Sequence, residues 1–152
     1  NCMLCHGLAD PRLEAKELAA MLDAGHLINP DFEMVRYSQG TVRHRFYPPD
    51  TSKNAEMSAA ELARMFITGQ AAKLVSAAEA IGKSDHAKYV DAQKKRAESA
   101  SKALALVTSV PAIKTLLATP NEANARAVVA AIQDKDLSGE VGKALPTKGS
   151  YK

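Results

Sequence analysis

Hydrophobic and polar positions divide the chain near residue 57. Beyond it, apolar residues recur at helical spacing. Leu62, Phe66, Leu74, Val75, Ala78 and Ile81 fall on one face of a long helix, opened by Ser58 and Glu61 in the S-x-x-E form of a capping box. Gly69 is placed to bend this helix, and Gly82 with Lys83 closes it. Ser84 opens a second helix that runs to about Val107. Its buried side carries Tyr89, Val90, Ala97, Ala100, Leu104 and Val107, and its solvated side Lys94, Lys95 and Arg96. Pro111 starts a short helix to about Ala118. Thr119-Pro120-Asn121-Glu122 then combines a cap, a first-turn proline and a capping glutamate. The helix they open ends near Gln133 and has Val128, Val129 and Ile132 as core positions.

Before residue 57 the pattern is less regular. Asp10-Pro11 makes a plausible helix start, Leu13, Leu18, Met21 and Leu22 have helical spacing, and Gly25 marks an end. Asn29-Pro30-Asp31 reads as a loop. Residues 41–47 alternate, with Val42, His44 and Phe46 on one side and Thr41, Arg43, Arg45 and Tyr47 on the other, which predicts an extended segment. Pro48-Pro49-Asp50 ends it. The expected fold class is therefore mainly α. An irregular N-terminal segment over residues 1–56 is followed, over 57–152, by a small antiparallel helical bundle, because short connections make neighbouring helices antiparallel. The tail after Leu145 is polar, with Pro, Gly and Lys, and is expected to be mobile.

Composition agrees with this reading. The chain has 152 residues, 46% of them hydrophobic, which is enough for one domain with a real core. Aromatics are scarce and Trp is absent, while Ala is abundant; this favours helices packed through small side chains over a β sandwich. No apolar run reaches the roughly 18 residues of a membrane span. A net charge of +3 mildly favours acidic partners, and no interleaved basic and aromatic pattern suggests nucleic acid.

The chemistry is concentrated at the start. Residues 2–6 read Cys2-Met3-Leu4-Cys5-His6, a C-x-x-C-H sequence that uses both cysteines of the chain. This is the attachment signature of a c-type haem: two thiols form thioethers with the haem vinyls, and the adjacent histidine reaches the iron. A zinc half-site would want a second close Cys/His pair, and the other histidines are scattered at 26, 44 and 86. A redox dithiol would normally open a helix after a strand, and no such pattern surrounds it. A plain disulfide across two residues would be strained. Asn1-Cys2-Met3-Leu4-Cys5-His6-Gly7 resembles the attachment segment of c-type cytochromes, including the glycine after the histidine. The resemblance covers seven residues and implies one covalent haem c. Cys2, Cys5 and His6 would hold it, and residues 1–56 would be the haem-binding segment.

A six-coordinate haem needs a second iron ligand. His44 is the first choice, because it shares an apolar face with Val42 and Phe46. Arg43 and Arg45 flank it and could reach haem propionates. Met57 and His26 are rivals, and a neighbouring chain could also supply the ligand. The resemblance places an axial methionine downstream of the motif, where Met57-Ser58-Ala59-Ala60-Glu61-Leu62 stands. In this sequence only Asn1 precedes the motif, where that family places a helix, and a long part expected to be helical follows it.

The expected function is one-electron transfer by a monohaem c-type cytochrome, not an enzyme. Its partners would be redox proteins, including other cytochromes or copies of itself. The alternative is a haem-based sensor, or a haem-carrying subunit of a larger assembly. Haem of this type is attached outside the cytoplasm, so a periplasmic or extracellular chain whose signal peptide has been removed is expected.

Overall fold

The computed structural model describes residues 2–40, 52 and 56–152. Among them the chain is mainly helical and has no strand. The alternating segment 41–47, with His44, Arg43 and Arg45, lies outside the described residues.

Three short helices precede the long ones: α1 over Cys2–His6, α2 over Ala15–Asp23 and α3 over Met34–Ser38. The first long helix, α4, spans Ala59–Ala80 and starts at the expected capping box. Ser58 Oγ accepts from the Glu61 N–H at 3.3 Å, and the Glu61 carboxylate accepts from the Ser58 N–H at 2.8 Å. The helix runs unbroken through Gly69, which makes room for the Met34 side chain. The second, α5, spans Ala87–Leu104. Its N-cap is His86 rather than Ser84, whose hydroxyl accepts from the His86 N–H at 3.2 Å. Then come α6 (Pro111–Ala118), with proline in its first turn, α7 (Glu122–Ile132) and the single turn α8 (Ser138–Val141). The start of α7 differs from expectation. Thr119 ends α6, and Asn121 is the cap, its side-chain oxygen accepting from the Asn124 N–H at 2.8 Å. Pro120 thus precedes the cap.

Two cores result. In the larger, Phe66, Leu74, Leu104, Ile113, Leu116 and Ile132 interlock among α4, α5, α6 and α7. Ile81 and Val129, expected inside, are exposed. Ile81 is the C-cap of α4, and Val129 is turned away from buried Val128 towards a surface groove. The smaller core crosses the change of pattern near residue 57, joining Leu8, Ala9, Leu18 and Leu22 to Ala80 and Tyr89.

The tail expected to be mobile is seated on α3. The Lys152 N–H donates to the Arg36 carbonyl at 2.9 Å, Arg36 Nε donates to the Ser150 carbonyl at 3.2 Å, and Tyr151 packs on the larger core. The acceptors in both bonds are backbone carbonyls, to which the side-chain pattern is blind. Among the described residues, no helix is long and apolar enough to cross a membrane.

Candidate functional site

The C-x-x-C-H sequence folds as α1. At about 100° per residue, positions 2, 5 and 6 of one helix share a face, and positions 3 and 4 point away from it. The structure follows this division. Cys2, Cys5 and His6 are exposed, and Met3 behind them is buried. Both thiols are free.

Five residues are too few for a helix to stand alone, and α1 ends in a Schellman turn. The Ala9 N–H donates to the Leu4 carbonyl at 2.8 Å, and the Leu8 N–H to the Cys5 carbonyl at 3.2 Å. The position that must turn left-handed is Leu8, at φ 49°. Glycine sits one place earlier, at Gly7, because the space a Cβ would need there is filled by the Arg96 guanidinium.

Arg96 is the most informative side chain that the sequence reading misplaced. It was expected on a solvated face with Lys94 and Lys95. Those two are exposed, whereas Arg96 is only 1% exposed. The helical period explains this: Arg96 lies three residues after buried Gln93 and seven after buried Tyr89, on their face. Arg96 Nη2 donates to the Met3 carbonyl at 2.8 Å and to Ser76 Oγ at 2.7 Å, and Nη1 donates to Gln93 Oε1 at 2.5 Å. None of these partners is a carboxylate. Burial pulls the guanidinium down to about 10, with the Tyr89 hydroxyl opposing, so it remains a cation at neutral pH.

Further donors continue the pattern. Gln93 Nε2 donates to the Gly7 carbonyl at 2.7 Å, and Tyr89 Oη donates to the Leu8 carbonyl at 3.0 Å. Burial raises the Tyr89 phenol, which keeps its proton available for that bond. Lys83 Nζ donates to the Asp10 carbonyl. As the N-terminal segment runs from 3 to 10, its anchors run back from 96 to 83. Side chains from the α4–α5 turn and from α5 thus hold four main-chain carbonyls of the C-x-x-C-H region.

His6 has its own seat. Its ring stacks on buried Phe32, with centroids 3.9 Å apart and planes 8° from parallel. Tyr37 lies 4.9 Å from Phe32 and 6.3 Å from His6. The Asn29 N–H donates to the His6 carbonyl at 3.0 Å. Beneath Phe32, buried Lys73 reaches the Phe32 carbonyl at 3.5 Å; burial is the main cause of its lowered pKa, with Arg96 second.

The remaining ligand candidates have other partners. His26 is exposed, with Nδ1 3.0 Å from the Leu27 carbonyl. His86 Nε2 lies 3.3 Å from Asp23. Met57 Sδ accepts from Gln39 Nε2 at 3.5 Å. Phe32, Tyr89, Gln93 and Arg96 were missed as site residues. The one available signal was the i, i+4, i+7 spacing of the last three.

The residues present fit a covalently tethered haem: two free, exposed thiols and an imidazole share the outer face of a helix whose back is fixed. Among the described residues, no three His, Cys, Asp or Glu side chains are grouped so that they could hold a metal ion. No family model matches this chain, nor does any curated protein or solved structure.

Proposed function

We propose that this chain is a monohaem c-type cytochrome that transfers single electrons outside the cytoplasm. Cys2 and Cys5 would hold the haem through thioethers, and His6 would ligate its iron. The supporting observation is the division of α1 into an outer face carrying all three groups and an inner face that packs on α4, with its Met3 carbonyl held by Arg96 of α5. A haem held by these residues would supply a ferric/ferrous couple, which carries one electron at a time. The protein keeps the two thiols at fixed spacing and aligns the imidazole against Phe32. The Met3, Gly7 and Leu8 carbonyls held from α5 would limit movement of this segment when the charge on a bound iron changes.

The helices from α4 onward are read as the antiparallel bundle that supports this segment. His44 remains the proposed second ligand, with Arg43 and Arg45 towards the propionates. Among the described residues on either side of them, Gln39 and Met57 touch, and the Tyr37 ring lies 6.3 Å from that of His6. A visible spectrum of the isolated protein tests the reading. A covalent, low-spin haem that does not bind CO supports electron transfer, and an absence of haem absorbance ends it. His44→Ala should open the iron and admit CO, while His26→Ala and Met57→Ala should stay low-spin. A silent His44→Ala defeats that ligand assignment. The second reading, a subunit of a larger haem assembly, draws on the exposure of Cys2, Cys5 and His6, which would turn the haem outward towards a neighbour. Purification with other haem chains would favour it.

A further inference from the structure

The cation behind the motif has a role beyond holding backbone. Resting on the haem reading above, we infer that Arg96 is a positioning residue that also raises the reduction potential of the iron, through a buried positive charge with no carboxylate among its hydrogen-bond partners in the described residues.

The argument begins with placement. The guanidinium donates to the carbonyl of Met3, which lies between the two anchoring cysteines, and it fills the space beside Gly7, next to His6. Its other partners are the neutral Ser76 and Gln93 side chains. The contrast with Arg12 is direct: Arg12 is exposed and its charge is met by Asp10 at 2.7 Å. A second buried cation, Lys73, stands on the same side of α4, but Asp31 and Glu33 act on it. Among the described residues, the buried cation that meets no carboxylate is therefore Arg96. Ferric haem carries one more positive charge than ferrous haem, so a nearby buried cation disfavours the oxidised form and raises the potential. Burial keeps solvent from screening the effect.

Two substitutions neutralise this charge by different routes. Arg96→Met removes it. Ser76→Asp keeps Arg96 and puts a carboxylate at the position of its 2.7 Å partner, beside a groove of about 410 Å³ with space for the larger side chain. Arg96→Lys keeps the charge and changes the shape. Each full-length variant would be purified with its haem, its mass and visible spectrum recorded, and its midpoint potential measured by equilibrium titration. Arg96→Met and Ser76→Asp should retain covalent haem and the wild-type ligation spectrum, with midpoints below wild type. Arg96→Lys should stay close to wild type. Unchanged midpoints in both neutralising variants would overturn the inference, and so would a fall in Arg96→Lys as large as in Arg96→Met. If Arg96→Met does not fold, Ser76→Asp decides alone. A wild-type chain without haem would remove the functional reading and this inference with it. Haem present with an unchanged potential would remove the inference alone.

Discussion

The ends of α1 and α2 are built alike and used differently. Both close in a Schellman turn. In α2 the His26 N–H returns to the Met21 carbonyl at 2.9 Å and the Gly25 N–H to Leu22 at 3.1 Å. There the left-handed residue is Gly25, at φ 88°, and nothing stands within 4 Å of where its Cβ would be. That is a turn satisfying only itself. In α1 the left-handed residue is Leu8, which is 4% exposed, while Gly7 beside it yields its space to Arg96. A leucine in this conformation costs about 1–2 kcal/mol that glycine would not. The α1 end accepts that cost because two demands outrank it: a core residue at 8 and a guanidinium against 7. The difference shows that the α1 end is shaped by its tertiary partners and the α2 end by its own backbone.

The contrast can be broken first at Gly7. Gly7→Ala puts a methyl group into the guanidinium and should cost about 3 kcal/mol through overpacking and lost hydrogen bonds. Chemical denaturation would measure it, and a change under ~0.5 kcal/mol would mean that Arg96 can move aside freely. The next largest effect is at Leu8. Leu8→Ala loses buried surface and keeps the strained backbone, and should cost about 2–3 kcal/mol. Leu8→Gly loses slightly more surface yet relieves the strain, so it should be less damaging than Leu8→Ala by about 1 kcal/mol. The reverse order, usual elsewhere, would show that Leu8 carries no strain. Gly25→Ala should cost about 1 kcal/mol and leave the visible spectrum unchanged.

The smallest effect lies far from both turns. Glu140 accepts from the Thr108 and Ser109 N–H groups, at 2.7 and 3.1 Å, and from the Ser109 hydroxyl. These bonds, that of the Ser109 side chain first, hold its pKa below the ordinary glutamate value. A lowered folded-state pKa stabilises the fold above the unfolded value, and the contribution is lost as pH falls through the folded one. Glu140→Gln should thus lower the melting temperature slightly at neutral pH and match wild type in strong acid. An equal deficit at both pH values would contradict this account.

Legibility in the sequence followed the kind of interaction. The long helix α4 was readable because its capping box and apolar spacing are local, and α6 because Pro111 marks its first turn. Helix α1 was not: five residues carry no period, and it is held by Arg96 at Met3 and by Gln93 and Tyr89 at the turn that closes it. Those partners are backbone carbonyls, which every residue has, so nothing in the side-chain pattern could flag them. The run Lys94-Lys95-Arg96 looked like one solvated face, yet the helical turn divides it. The candidate site was legible in its chemistry at Cys2, Cys5 and His6, and illegible in its support. Phe32 under His6 was hidden for the same reason, since it lies 26 positions away along the chain.

The central claim is that Cys2 and Cys5 anchor a covalent haem. The most direct test is the denatured intact mass of the chain, isolated from a host able to attach c-type haem and compared with Cys2→Ala/Cys5→Ala. The account predicts an increase over the sequence mass equal to one haem, absent from the double variant. A wild-type chain at its bare sequence mass would contradict it.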